Sequence, residues 1–378
     1  MKDYSNKKVF LGIDVHKKHY SVTAICDGQV VKKDTIFARP EYLVDYFQKY
    51  FPGAAIESAY EAGFSGFHLH RFLEKYGAKN HVIHAAGMEI AVGDRVKTDK
   101  RDSLKLAVQL SVGRLQGNFV PSKEREDFRA VTRLRETFLK HRIRIGSQLK
   151  AVLFQQGMIP FDHTQKTSVK WIKSILAMEM SLDIRYTVEQ YANLWLHITE
   201  KITEIDVRLK RQAQEDNHLE KIYKSAPGIG PLAARILANE LGDMSQFSNE
   251  RKLFSYVGVT PSEHSSGEHV RQGHITRQGK AVLRKVLVQS AWIAIRYDYS
   301  LFQIYQRIAK TRGGKRAIVA VARHLIGRIR SCFRTEQTYK ILRIPDQIDA
   351  EISKINIETG ELLKDKKNMK NKIFVNCN

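Results

Sequence analysis

The first part of the chain alternates between short, largely apolar runs and segments with apolar residues at helical spacing. Runs typical of β-strands cover residues 8–15, 20–25, 30–37, 54–60 and 81–83. Helical patterns begin at Pro40, continue over 67–76 after the fourth run, and resume near Asp99 after the fifth. The predicted order is three strands, then helix, strand, helix, strand and helix. This order indicates a ribonuclease-H-like α/β domain.

From about residue 124 the pattern changes to long helices. Apolar residues recur at three- and four-residue steps from Phe128 to Leu153, and again in a nearly heptad pattern from Tyr191 to Leu209. Residues 157–160, Gly-Met-Ile-Pro, break the pattern between them. The pattern favours an antiparallel helical hairpin over an intermolecular coiled coil, in which the same apolar stripe would bind another chain.

A third region begins near Ser225 and is mainly helical. Residues 226–231, Ala-Pro-Gly-Ile-Gly-Pro, resemble a helix-hairpin-helix turn, in which glycines let backbone amides approach a phosphate. The predicted domains are 1–117 (α/β), 118–220 (helical, coiled-coil linker), 221–345 (C-terminal helical domain) and a basic tail, 346–378.

Composition and charge narrow the class of protein. Hydrophobic residues make up 43% and charged residues 27% of the 378-residue chain, which is typical of folded proteins. The net charge of +23 indicates a polyanionic partner, with nucleic acid favoured over an anionic membrane surface. No apolar run approaches the ~20 residues of a membrane span, and the N-terminus lacks the pattern of a signal peptide. Three scattered cysteines fit a reducing compartment, so we expect a cytoplasmic protein without a membrane partner.

Four carboxylates occur where this fold would bring them together. Asp14 lies in the first apolar run, where an unpaired charge is costly, and Glu61 directly follows the fourth run. Asp99 and Asp102 share one face of the last helix, although capping of its N-terminus also explains them. If the register of the fourth strand differs from the expected one, Glu57 takes the place of Glu61 as the carboxylate ligand. Such oxygen ligands suit Mg²⁺.

Several motifs resemble one family over nearly the whole chain. Residues 11–17 (LGIDVHK), 60–63 (YEAG) and 99–102 (DKRD) are similar to the signature of DEDD-type bacterial insertion-sequence transposases (insertion-sequence family one-hundred-ten). Residues 227–230 (PGIG), 254–261 (FSYVGVTP), 265–267 (SSG) and 275–280 (ITRQGK) resemble the C-terminal transposase domain of this family.

The resemblance implies a RuvC-like first domain in which Asp14, Glu61, Asp99 and Asp102 bind Mg²⁺ and act in catalysis. It also implies that Ser266, directly before a glycine, attacks DNA and forms a covalent phosphoserine link, with Ser265 as the alternative nucleophile. Further implications are double-stranded donor and target DNA as substrates and a structured guide RNA, encoded beside the gene, that pairs with both. Activation of Ser266 by the carboxylates of another subunit would require a dimer or a tetramer.

Cationic residues follow the SSG motif at residues 265–267, here called the serine loop, and recur between residues 310 and 316. Because they share helices with apolar residues, each helix has a buried face and a basic one. Solvated surface charge explains such faces equally simply, but the net charge favours contact with phosphates. The predicted nucleic-acid-binding residues are Arg271, Arg277, Lys280, Arg284, Lys310, Arg312, Lys315 and Arg316.

The sequence therefore predicts a DNA recombinase that excises and inserts its own mobile element under guidance of RNA. The alternative is a RuvC-like, Mg²⁺-dependent endonuclease or junction resolvase, in which the carboxylates activate water and Ser266 is dispensable. A catalytically inactive nucleic-acid-binding scaffold is a third possibility, which the complete set of four acids disfavours.

Overall fold

A computed structural model of the chain describes residues 3–84, 99–160, 165–263, 272–276 and 278–342. The chain divides into two compact units, Met1–Ser122 and Lys123–Asn378. The first unit is a mixed α/β fold and the second is mainly helical, which confirms the predicted fold class at this level. Within the described ranges, no helix is both long and apolar enough to cross a membrane.

The first unit is built on a single mixed sheet. Its strands are β1 (Lys8–Val15), β2 (His19–Cys26), β3 (Gln29–Phe37), β4 (Ala55–Glu61) and β5 (Lys79–Ile83). Their spatial order is β3-β2-β1-β4-β5. The first three strands pair antiparallel, as expected for consecutive hairpins, whereas β4 lies parallel to both β1 and β5. The carboxyl ends of β1, β4 and β5 therefore meet at one edge of the sheet.

Helices cover both faces of this sheet because β1 is apolar on both sides. They are α1 (Pro40–Tyr50), α2 (His68–Lys75) and α3 (Asp99–Ser111). Odd-numbered residues of β1, including Leu11 and Ile13, pack with the buried side chains of α1 and α2. On the other face, Phe10 and Ala59 pack with Leu106 and Leu110 of α3. The alternation of side chains along a strand thus separates two cores.

The second unit begins with two long helices joined through a short one. They are α4 (Lys123–Gln155), α5 (Val169–Leu176) and α6 (Leu182–Glu215). Arg135 Nε lies 2.5 Å from Asp206 Oδ1, and the first turns of α4 reach the residue that follows α6 through an Arg125–Asp216 pair. The two long helices are therefore antiparallel within one chain, as the apolar pattern predicts.

The remaining helices surround a large apolar core. The elements are α7 (Asn217–Ser225), α8 (Pro231–Leu241), α9 (Glu250–Val257), β6 (Pro261–Glu263), β7 (Gln272–Ile275), α10 (Ala281–Ala294), α11 (Tyr299–Arg312) and α12 (Gly314–Thr335). The buried Arg129 of α4 donates hydrogen bonds of 2.8 Å to the carbonyls of Asn239 and Glu240 at the end of α8. These bonds join the helical middle region to the C-terminal region, so both belong to one compact unit. A boundary at residue 220 stays a prediction.

Candidate active site

Asp14 and Glu61 lie at the carboxyl ends of two adjacent parallel strands. The register pairs Ile13 with Tyr60, so Asp14 and Glu61 are the next pair along β1 and β4. Neighbouring strands are ~4.8 Å apart, which brings the two backbones close together. Both residues are partly exposed, with 21% of the Asp14 side chain accessible. They form an acidic edge open to a ligand.

Helix α3 begins beside this edge because a glycine lets it approach the sheet. A Cβ atom on Gly12 would lie 2.0 Å from the Ser103 carbonyl oxygen and 2.4 Å from the Ala107 amide nitrogen. Farther along α3, Leu110 packs in the cluster against Phe10, on the amino-terminal side of Gly12. The first turn of α3 is therefore directed toward the carboxyl end of β1.

The two remaining predicted carboxylates belong to that first turn. Asp102 directly precedes the buried Ser103 and is itself half-buried. Asp99 opens the helix, and its side chain lies outside the described part of the chain. The structure thus brings the backbones of all four acids toward one edge.

A histidine that the sequence prediction did not single out belongs to the same edge. His16 Nε2 lies 3.1 Å from Asp14 Oδ2. The His16 ring packs against the ring of His19, with 4.9 Å between the two ring centroids. The two-residue spacing of Asp14 and His16 is the signal that could have revealed it, since residues two apart on a strand share a face. His16 orients the Asp14 carboxylate.

Glu57, the alternative to Glu61, lies at the other end of β4. It pairs in register with Phe10, four residues before Glu61 along the strand. Its buried carboxylate is held by two lysines and by His81, whose Nε2 is 2.7 Å from Oε1. Burial raises the pKa of the Glu57 carboxyl, but the hydrogen bonds from Lys8, His81 and Lys79 outweigh it and lower the pKa to about 2. Glu57 has a structural role.

This pKa predicts how the first unit responds to acid. A carboxylate with a depressed pKa stabilises the fold above its unfolded pKa, near 4.5, and this contribution is lost as the pH falls toward 2. We expect a loss of ~2 kcal/mol of unfolding free energy over that window. Glu57→Gln should be less stable at pH 7 and show a flatter acid profile, measured by circular dichroism melts between pH 7 and 2. Equal acid slopes for both proteins would contradict this assignment.

The acidic edge has the donor chemistry of a divalent-cation site. Three described carboxylates, Asp14, Glu61 and Asp102, offer hard oxygen donors, which Mg²⁺ prefers. In the described ranges, no three such side chains already stand close enough together to hold a metal ion. The residue types fit the cation, and closing the site would require the side chains to move inward.

In the second unit, β6 and β7 stand on either side, in sequence, of the segment predicted to be the serine loop. These strands form a small antiparallel hairpin that the sequence analysis did not predict, since each is only three or four residues long. The loop residues Ser265 and Ser266, and the predicted cations Arg271 and Arg277, lie outside the described residues.

Two glycines hold the base of this hairpin. Gly258, left-handed with φ of 78°, ends α9, and a Cβ there would lie 2.1 Å from the Gln278 carbonyl oxygen. A Cβ on Gly279, whose φ is 88°, would likewise lie 2.5 Å from the Tyr256 carbonyl oxygen. Only glycine permits both this φ and this approach. The segment before α10 is thereby fixed against the end of α9.

The predicted cations differ in their surroundings. Arg284 donates a 3.3 Å hydrogen bond to the Gly258 carbonyl, so it also stabilises the end of α9. Lys280 is exposed directly before α10. The remaining four are exposed around the sharp turn at Gly313 between α11 and α12: Lys310, Arg312, Lys315 and Arg316. That turn carries a compact cationic surface.

The helix-hairpin-helix-like turn at residues 226–231 stays a prediction, and the structure shows what surrounds its two glycines. A Cβ on Gly228 would lie 2.3 Å from the Ser290 carbonyl of α10. This glycine therefore permits close packing between the turn and α10. Gly230, at the start of α8, is exposed and has open space around it.

Comparison with known proteins identifies the family. A model of DEDD transposases of the IS110 type matches residues 11–157, and one described as the transposase IS116/IS110/IS902 family matches residues 220–306. The matches fall in the expected order and together cover more than half of the chain. The chain belongs to the IS110 family of DEDD transposases.

Individual relatives of this IS110-family chain are distant. The y4qE protein of Sinorhizobium fredii is 30% identical over 62% of this chain and 57% of its own length. The transposase for insertion sequence element IS1111A of Coxiella burnetii is 26% identical over 65% of this chain and 68% of its own. A pilin gene-inverting protein of Moraxella bovis is 30% identical over 34% of this chain and 42% of its own. The chain thus spans little more than half of the first relative's length.

Proposed function

We propose that this chain is the transposase that excises and inserts its own insertion sequence. The observation that carries the proposal is the meeting of Asp14 and Glu61 in register beside the first turn of α3, within a chain of the IS110 family. The chain matches part of an insertion-sequence transposase and part of a gene-inverting protein, and these two matches favour DNA recombination as the reaction class.

The first unit is proposed to be ribonuclease-H-like, or RuvC-like. Three antiparallel strands followed by two parallel ones, in the order β3-β2-β1-β4-β5, support this proposal. In such an arrangement the central strand carries one carboxylate, here Asp14, and the neighbouring parallel strand carries the next, here Glu61.

Members of this DEDD family usually require a divalent metal, and we propose Mg²⁺ held by Asp14, Glu61, Asp99 and Asp102. The cation would polarise a phosphate oxygen and favour the ionised form of the attacking hydroxyl. Three described acids supply hard oxygen ligands, and His16 keeps the Asp14 carboxylate oriented.

The nucleophile is proposed to be Ser266. Its Oγ would form a bond to phosphorus while the bond from phosphorus to a deoxyribose oxygen breaks, and the serine proton would leave to a base as the released oxygen gains one. The product is a covalent phosphoserine link that a second strand can reverse. An element-encoded guide RNA, pairing with donor and target DNA, would select the sites.

The exposed cations near the Gly313 turn support binding to the DNA backbone, since phosphates are the polyanion that such a surface attracts. A homo-oligomer, dimeric or tetrameric, acting on DNA in the cytoplasm completes the proposal. Recombination of two duplexes needs at least two active sites.

The decisive experiment asks whether a serine is essential. A plasmid carrying the gene with its native flanking DNA is scored for the circular junction that excision leaves. We expect Ser266→Ala to lower junction formation at least ~100-fold, since a nucleophile is lost entirely. Ser265→Ala is the matched control and should retain most activity. If only Ser265→Ala is inactive, Ser265 is the nucleophile. If both variants stay active, neither serine is the nucleophile and the covalent phosphoserine mechanism fails; cleaved DNA without a junction would instead support the endonuclease or junction resolvase.

A further inference from the structure

A groove lined in part by hydroxyl groups opens on the face of the sheet that α3 partly covers. The cavity has a volume of about 260 Å³, and four of its seven lining residues carry hydroxyl groups, beside Val22, Lys33 and Asp34. Ser21, Thr23 and Ser103 form its floor and are only 3%, 1% and 1% exposed. Thr23 Oγ1 lies 2.9 Å from Ser103 Oγ, which ties α3 to the floor of the groove. Lys33 and Thr35, both exposed, form its outer wall on β3.

Strand register makes this groove continuous with the acidic edge. Ser21 is the direct cross-strand partner of Asp14, and Thr35 is the partner of Ser21. Paired residues of antiparallel strands point to the same face, so all three side chains share the face on which α3 lies. Two strand spacings separate Thr35 from Asp14, a distance of ~10 Å. A ligand lying across β3 and β2 would therefore end at the carboxylates.

The charge of the wall favours an anionic ligand. Lys33 is the partner of Thr23 and adds an ammonium group above the hydroxyls. Asp34 also borders the groove, but its carboxylate lies 3.1 Å from the Lys32 amino group and is thereby neutralised. Lys32 itself lies over the Tyr50 ring of α1, on the opposite face of the sheet. The groove thus offers hydroxyl groups and one lysine to its ligand.

This chemistry matches a sugar-phosphate backbone better than a base or an apolar group. Hydroxyl and ammonium side chains are common phosphate partners and carry no sequence information. Phe37, two residues beyond Thr35 on β3, is 75% exposed and offers a ring on which a nucleotide base can stack. A strand, rather than a free phosphate, would use both features.

We propose that this groove binds the backbone of the DNA strand on which the carboxylates act, with Lys33 contacting a phosphate and Ser21 and Thr35 donating hydrogen bonds to the same backbone. The assignment of the strand as substrate rests on the proposed function. Binding of the strand does not, because it requires no chemistry.

The test compares two lysines of the first unit. Lys33→Ala and Lys49→Ala change the net charge equally, but Lys33 faces the groove whereas Lys49 lies on α1, on the opposite face of the sheet, so contributions from other cationic surfaces cancel. A fluorescein-labelled single-stranded DNA oligonucleotide is titrated with the full chain in EDTA over a series of salt concentrations. We expect Lys33→Ala to weaken binding about fivefold and to reduce the slope of log K against log salt by ~0.7, the value for one lost phosphate contact. Lys49→Ala should change neither quantity appreciably.

Uncharged variants refine the result. Ser21→Ala combined with Thr35→Val should weaken binding about threefold while leaving the salt slope unchanged, because hydroxyl groups release no counterions. Unchanged circular dichroism melts would verify that each variant folds.

Three results would contradict binding of a DNA strand in the groove. The first is that the two lysine variants weaken DNA binding equally, and the second is that Lys33→Ala weakens binding of an RNA oligonucleotide but not of DNA. The third is that millimolar free phosphate competes with the labelled DNA as effectively as an unlabelled oligonucleotide does. These are distinguishable from failure of the proposed function. If Asp14→Asn leaves junction formation intact while Lys33→Ala still weakens DNA binding, the groove stands and the catalytic assignment fails. If Asp14→Asn abolishes the junction and both lysine variants behave alike, the groove alone fails.

Discussion

Replacing Asp14 with asparagine is expected to lower formation of the circular junction by more than about 100-fold. Asparagine has the shape of aspartate, so the bond to His16 and the packing of β1 can persist. It lacks the negative charge that a divalent cation requires of this ligand. Loss of a residue that merely orients a ligand costs ~10–100-fold, and loss of the ligand itself should cost more. Amplification across the junction in the plasmid assay measures the effect.

The matched control is Asp27→Asn. Asp27 is an acid of the same unit and pairs with Lys7 at 2.8 Å. It lies in the exposed turn after β2, at the opposite end of that strand from Ser21, the cross-strand partner of Asp14. This variant should excise as the wild type does. Junction formation at normal levels by Asp14→Asn would remove the carboxylates from the mechanism.

Mixed assemblies extend the same experiment to the oligomer. If the carboxylates of one subunit activate the serine of another, Asp14→Asn and Ser266→Ala chains produced together should regain part of the activity that each lacks alone. A mixture as inactive as its components would mean that each subunit supplies both groups.

Much of the first unit could be predicted because its signals are local. The apolar run around Ile13 is buried on both sides, so it must be a central strand, and Pro40 marks the start of the helix that covers one face. The choice between Glu57 and Glu61 depended on register, which single-strand patterns do not contain. Pairing of Ile13 with Tyr60 supplies it.

Other features depend on contacts between residues distant in sequence. Gly258 and Gly279 were recognisable only as motif positions, whereas their function is mutual approach of two backbones. The close approach of Gly228 to Ser290 was not predictable for the same reason, since Ser290 is on another helix. The groove beside α3 likewise combines residues from β2, β3 and α3, so no spacing of residues along the chain predicts it.

Gly12→Ala is expected to destabilise the first unit strongly. The added methyl group would meet the backbone of α3, at Ser103 and Ala107, rather than a side chain that can rotate away. Helix α3 must then shift from the sheet, breaking the Thr23–Ser103 bond and moving the first turn of the helix away from Asp14. We expect a cost of ~3 kcal/mol and a melting temperature lower by ~10 °C, with loss of excision at temperatures where the unit still folds.

Gly63→Ala provides the matched control, because the atom nearest to its added Cβ would be 3.9 Å away, an ordinary contact. Its melting temperature should change by only a few degrees. Trp171, Trp195 and Trp292, the three tryptophans of the chain, all belong to the second unit. Tryptophan fluorescence therefore reports on the second unit alone, while far-ultraviolet circular dichroism follows both. A Gly12→Ala chain whose circular dichroism melt matches that of Gly63→Ala would show that α3 does not depend on this contact. If Gly12→Ala instead lowers the melting temperature of the first unit and leaves the tryptophan-monitored transition of the second unit unchanged, the position of Asp102 depends on the absence of a side chain at residue 12.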